Sequence, residues 1–86
     1  MATVRTSEDV GRLMRSHRRA KGLSLERVAG LSNVGVRFLS EVERGKPTAE
    51  MGKVLRVLLT LGLDVHVRSR ELAPHDDARE PDRGGD

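Results

Sequence analysis

Apolar residues recur at helical spacing along most of this chain, in four stretches separated by small or polar breakers. In the first, Val10, Leu13, Met14 and His17 share one stripe of a helix expected from about Glu8 to Lys21. Ser7 is placed to cap it, Glu8 and Asp9 suit the positive end of its dipole, and Gly22 ends it. Ser24 then caps a short second helix whose Leu25, Val28 and Ala29 fall at i, i+3 and i+4. Gly30 weakens that helix, and Asn33, which tolerates positive φ, stands where the chain must reverse. A third helix is expected from about Val36 to Arg44, with Leu39 and Val42 pointing inward. Arg37, Ser40, Glu41 and Arg44 recur at i, i+3, i+4 and i+7 on its other side, so that this helix carries a polar and chemically varied outer stripe.

After Gly45 and the Lys46-Pro47 turn, Thr48 is the expected cap of a fourth helix from about Ala49 to Leu61, closed by Gly62. Met51, Val54, Leu55, Leu58 and Leu61 read as its core stripe, while Val57 and Leu59 widen the apolar arc to about 200°. One small core does not need so much, and the surplus faces either a partner subunit or the chain's own C-terminal segment. In that segment Leu63, Val65 and Val67 alternate with Asp64, His66 and Arg68, the period of a strand. A lone strand leaves its backbone groups unpaired, so its natural partner is the same strand of a second copy, the alternative being an extended loop over the fourth helix. From Ala73 onward Pro, Gly and charge dominate, which predicts a disordered tail over residues 73–86, after a domain spanning 7–72 and a flexible arm at 1–6.

Two short helices joined by a tight turn, the second with a polar outer stripe, describe a helix-turn-helix, whose second helix enters the DNA major groove. The segment LSLERVAGLSNVGVRFLSEVERG, Leu23 to Gly45, resembles the lambda-repressor and Cro-like (XRE) family. Its continuation through SEVERGK and KPTAEMGKVLRVLLTLGL resembles the HipB-like antitoxins within that family, so that the likeness spans roughly Val10 to Val67. Two positions depart from the family pattern: Asn33 stands where Gly is usual in the turn, and Gly35 where Ser or Thr usually caps the recognition helix. The resemblance implies an all-α, lambda-repressor-like bundle with a short C-terminal β-strand pairing across a dimer through Leu63, Val65 and Val67. It also implies an ion pair between Arg18 and Glu43, autorepression of an operon, and a HipA-like kinase toxin as partner.

Charge supports the nucleic-acid expectation. The chain carries a formal +3, yet residues 74–86 hold five acids against two arginines, so that the tail is −3 and residues 1–73 are +6. A basic small domain favours a polyanion through counterion release. Val36, Arg37, Ser40 and Glu41 are the candidates for base readout in double-stranded operator DNA, Arg37 foremost because a guanidinium matches guanine O6 and N7. Their bland alternative is an exposed helix face in which Arg37 and Glu41 pair at i, i+4. Ser24, Arg44 and Lys46 flank the two helix ends and are the candidates for the DNA backbone. Phe38, the one aromatic residue, suits the rim of the core better, and joins these candidates because the resemblance implies that its position lies close to the backbone.

Other chemistry is not indicated. His17, His66 and His75 are scattered and Cys is absent, which argues against a metal site or disulfides. There is no nucleophile elbow, phosphate loop or paired-carboxylate pattern, so neither an enzyme, nor a cofactor, nor a small-molecule substrate is expected. No run of apolar side chains exceeds three residues, which predicts no membrane span and a cytoplasmic protein. A chain of 86 residues buries too little surface to be very stable alone, which again favours a homodimer. Two other functions fit the pattern: a stand-alone phage-type or bacterial repressor without a toxin, and a protein-interaction module that uses the basic fold to dock an acidic partner. The surplus apolar face of the fourth helix is the first expected toxin contact, and the acidic tail is an accessory to it or a solubilising appendage.

Overall fold

The structure, a computed structural model, describes residues 2–70. The expected tail at 73–86 lies outside the described residues. Four helices follow one another: α1 (Ser7–Ala20), α2 (Leu25–Ser32), α3 (Val36–Glu43) and α4 (Met51–Thr60). α1 packs on α3, and α2 packs on both α3 and α4. Met14, Val28, Ala29, Leu39, Val42, Val57, Leu58 and Leu61 form the buried core between them.

Local chemistry explains the helix ends, with two departures from expectation. α1 is capped by Thr6 rather than Ser7. The Thr6 hydroxyl accepts from the Asp9 N–H at 3.0 Å, while the Asp9 carboxylate accepts from the Thr6 and Arg5 N–H groups at 3.2 and 2.9 Å, a reciprocal capping box. Ser7 is thereby free for a tertiary task, and its Oγ donates to the Gly45 carbonyl at 2.8 Å, tying the start of α1 to the end of α3. α4 begins at Met51, later than the Thr48 cap implied: Pro47 and Thr48 form a turn, Ala49 packs against the core, and Glu50 precedes the helix without a side-chain cap bond. Between α2 and α3, Asn33 adopts the left-handed conformation at φ 57°, ψ 47°, and its N–H and that of Val34 satisfy the last carbonyls of α2. Gly35 precedes α3 with extended dihedrals and no side-chain cap bond.

α4 is rotated relative to the expected stripe. Val57 is fully buried, whereas Met51 and Leu55, expected in the core, are 69% and 44% exposed. Their spacing explains this: Val54, Val57, Leu58 and Leu61 make the inward arc, and Met51, Leu55 and Leu59 repeat every four residues on the outside. The surplus apolar surface is therefore a second stripe, not a wider edge of the first. Beyond Gly62, which closes α4 at φ 78°, Leu63 packs against the core while Val65 and Val67 stay exposed. Residues 63–69 form no regular element within the single chain, and Val65 and Val67 are not covered by α4.

One contact makes the α1–α3 packing possible. Gly11 is buried where α1 meets the end of α3, and a Cβ at this position would lie 2.5 Å from the Val42 carbonyl oxygen and 2.6 Å from that of Glu43. Only a residue without a side chain allows that approach.

Candidate nucleic-acid interface

α3 presents its outer face because three devices fix its inner one. Leu39 and Val42 enter the core. Gly11 brings α1 into close contact, and the Arg18–Glu43 ion pair holds the helix from α1. In that pair Arg18 Nε donates to Glu43 Oε2 at 2.7 Å and a terminal nitrogen donates to Oε1 at 3.0 Å; the other terminal nitrogen donates to the Leu23 carbonyl at 2.8 Å. Both side chains are nearly withdrawn from water, at 10% and 6% exposure. The Glu43 hydrogen bond pushes the Arg18 guanidinium above its ordinary pKa, outweighing the opposing effect of burial.

The outer face is built differently. Val36 is 40% exposed at the N-terminal end of α3, and Arg37, Ser40 and Glu41 follow it along the polar stripe expected from the spacing. Arg37 Nε donates to Glu41 Oε2 at 3.4 Å and Lys46 Nζ donates to Oε1 at 3.0 Å, so one carboxylate faces two cations. Arg44 donates to Ser40 Oγ at 3.0 Å. The hydrogen bond from Lys46 is the largest influence holding the Glu41 carboxyl below its ordinary range, with burial opposing it and Arg37 adding to it. Arg44, Gly45, Lys46 and Pro47 line a shallow depression beside Glu41 at the end of the helix.

The candidates for backbone contact divide. Ser24 is exposed at the start of α2, where its Oγ accepts from the Arg27 N–H at 3.0 Å and keeps its own proton to donate. Arg44 and Lys46 are exposed beyond the end of α3. Phe38 is half-buried against the core, and Lys53 of α4 stands over its ring, 5.4 Å from the centroid. Two groups that the sequence did not single out support the helix pair. Gly11 does so by its close approach, and Arg56 of α4 donates to the Asn33 carbonyl at 3.1 Å, steadying the turn between α2 and α3. Among the described residues no cluster of three or more metal-ligating side chains occurs, and no helix is long and apolar enough to cross a membrane.

Known proteins share this fold. The family described as a helix-turn-helix domain is matched over residues 9–70. A protein of Sinorhizobium fredii (strain NBRC 101917 / NGR234), named as an uncharacterized HTH-type transcriptional regulator, y4mF, is 44% identical over 64 residues, 74% of this chain and 84% of that protein. Among solved structures, a HipB complex with the O4 20mer superposes with a TM-score of 0.75 at 13% identity, covering 83% of this chain and 100% of that one. A HipA–HipB–O2–O3 complex superposes with a TM-score of 0.76 at the same identity and coverage. At that identity these two likenesses establish the fold.

Proposed function

The chain belongs to the helix-turn-helix domain family and is a DNA-binding transcriptional regulator of XRE type, and from that premise we propose that it is a dimeric antitoxin that represses its own operon and holds a HipA-like kinase toxin. The observation that carries the DNA half is the division of α3 into a locked inner face and an outer one bearing Arg37, Ser40 and Glu41. In the major groove Arg37 donates to guanine O6 and N7, Glu41 accepts from cytosine N4, Ser40 serves either partner, and Val36 touches a thymine methyl. Ser24, Arg44 and Lys46 hold phosphates, with the half-buried Phe38 beside the backbone; these contacts position the protein without specifying sequence. Its site of action is the cytoplasm, where the operator is.

Two copies are needed to read two half-sites about one DNA turn, ~34 Å, apart. The outer stripe of Met51, Leu55 and Leu59 and the uncovered Val65 and Val67 supply the surface for pairing, with Leu63, Val65 and Val67 in a strand completed by the partner. The toxin half rests on the likeness to HipB, one of whose solved complexes contains HipA. The 44% identical relative is named a transcriptional regulator, which fits an antitoxin that represses its operon as well as the second reading, a repressor without a toxin; a HipA-like gene beside this one separates the two.

The test is titration of DNA from upstream of the gene, with sedimentation of the free protein as the check on the dimer. Arg37→Ala should cost about 1–3 kcal/mol on the specific site and relax preference at one base position per half-site. Unchanged affinity and unchanged preference in that variant would remove α3's outer face from the groove.

A further inference from the structure

Glu41 is an unusual group to find on a surface that meets phosphates. It is repelled by the DNA backbone, and in the free protein it is the shared partner of two cations on the proposed groove-facing side, Arg37 and Lys46. The two are not held alike. Arg37 is 91% exposed and reaches Glu41 over 3.4 Å, so it leaves readily. Lys46 is half as exposed, sits 3.0 Å from the carboxylate, and is anchored a second time by its own backbone N–H, which donates to the Glu41 carbonyl at 3.1 Å.

We propose, building on the DNA-binding reading above, that Glu41 determines specificity by holding Lys46 and Arg37 away from phosphates, so that DNA of arbitrary sequence is bound weakly and the operator is favoured by contrast. On arbitrary DNA, a phosphate can take Lys46 or Arg37 only by stripping a cation from Glu41, which leaves the carboxylate with one partner fewer while it faces a polyanion. At an operator half-site Arg37 exchanges the carboxylate for a guanine edge, and the carboxylate in turn accepts from cytosine N4. The loss is offset only where the bases match. A glutamate carboxyl is ionised at neutral pH at its ordinary value, and Lys46 and Arg37 lower that of Glu41 further, so the device works at any physiological pH.

The experiment uses the full chain and its Glu41→Gln variant, titrated with upstream DNA and with a random-sequence duplex of equal length over a series of salt concentrations. Melting curves of both proteins check that the fold is kept. For the variant, binding to the random duplex should tighten severalfold, and its logarithmic salt dependence should steepen by about one for each further phosphate neutralised. Affinity for the upstream site should change less, so that the ratio of the two falls. Adding Lys46→Ala to Glu41→Gln should return the salt dependence toward that of the parent. Unchanged binding and slope on the random duplex overturn the proposal, as does a loss confined to the upstream site, which would make Glu41 a base contact alone. Failure of the parent protein to bind either duplex overturns the DNA-binding reading and this proposal with it, whereas a parent that binds beside an unresponsive variant overturns this proposal only.

Discussion

Glu41 and Glu43 stand two residues apart on α3 and face in different directions, and the fold uses them for different ends. Glu43 is 6% exposed and makes a two-pronged bond to Arg18, whose remaining terminal nitrogen is taken by the Leu23 carbonyl. Glu41 is 26% exposed and shares its two oxygens between Arg37 and Lys46, both reaching into solvent. The inner pair has exchanged water for fixed partners, so its members depend on each other; the outer group keeps partners that water or a ligand can replace. A recognition helix built this way can change its contacts on binding while its seat does not move. Burial, not residue type, decides whether an ion pair belongs to the fold or to the ligand.

Deleting each carboxylate in turn tests that contrast most directly. Glu43→Ala leaves the Arg18 guanidinium buried with a single carbonyl partner and should cost about 3–5 kcal/mol in urea denaturation. Glu41→Ala should leave the denaturation midpoint close to that of the parent. Equal losses from the two would mean that the inner pair is no more withdrawn from water than the outer.

A smaller loss should follow from disturbing the inner face without touching a charge. Gly11→Ala puts a methyl 2.5 Å from the Val42 oxygen and 2.6 Å from the Glu43 oxygen, and because both are backbone atoms the helices must separate. The cost should be about 1–3 kcal/mol, with Arg18–Glu43 strained as α1 moves outward. A variant as stable as the parent would show that α1 can shift freely, and the seat of α3 would then rest on the ion pair alone.

Much of this is legible in the chain. The four helices follow from apolar spacing and breakers, and the reversal at Asn33 follows from its tolerance of positive φ, seen at φ 57°. The outer stripe of α3 follows from periodicity, while the Arg18–Glu43 partnership follows from family resemblance, since residues 25 apart in sequence carry no local signal. Other features stay hidden for physical reasons. The close approach at Gly11 leaves no mark in the sequence pattern, because helix periodicity and propensity know nothing of a neighbouring backbone. Thr6 and Ser7 are both good caps, and the choice between them turns on a tertiary bond from Ser7 to Gly45. On α4 apolar residues crowd both sides of the helix, so period alone does not say whether Leu55 or Val57 faces inward. The Lys46–Glu41 contact spans a helix end, outside the i, i+4 rule that finds Arg37–Glu41.

The slightest effect falls on a third carboxylate, Asp9, which is bonded within its own helix start and belongs neither to the inner seat nor to the outer face. The N–H of Arg5 is the largest cause that holds the Asp9 carboxyl below its ordinary value, with burial opposing and the Thr6 N–H, the Thr6 hydroxyl and Arg12 adding to it. An ordinary aspartate titrates near pH ~3.9, so in the acidic window just below that value the unfolded chain binds a proton that the folded chain still refuses. Asp9 therefore contributes stability that is complete above about pH 4 and is lost as the pH falls through its depressed folded value. Asp9→Ala should lower stability slightly at pH 6, in the range of other cap losses at exposed helix starts, and the gap between variant and parent should close on acidification. Glu41, lowered by Lys46 and Arg37, titrates in the same direction, so a Glu41→Gln parent gives the baseline on which the Asp9 share is read. Urea midpoints at pH 6 and at pH 3 measure it. A gap between Asp9→Ala and its parent that persists undiminished at pH 3 would mean that the loss comes from helix propensity or packing rather than from the ionised cap.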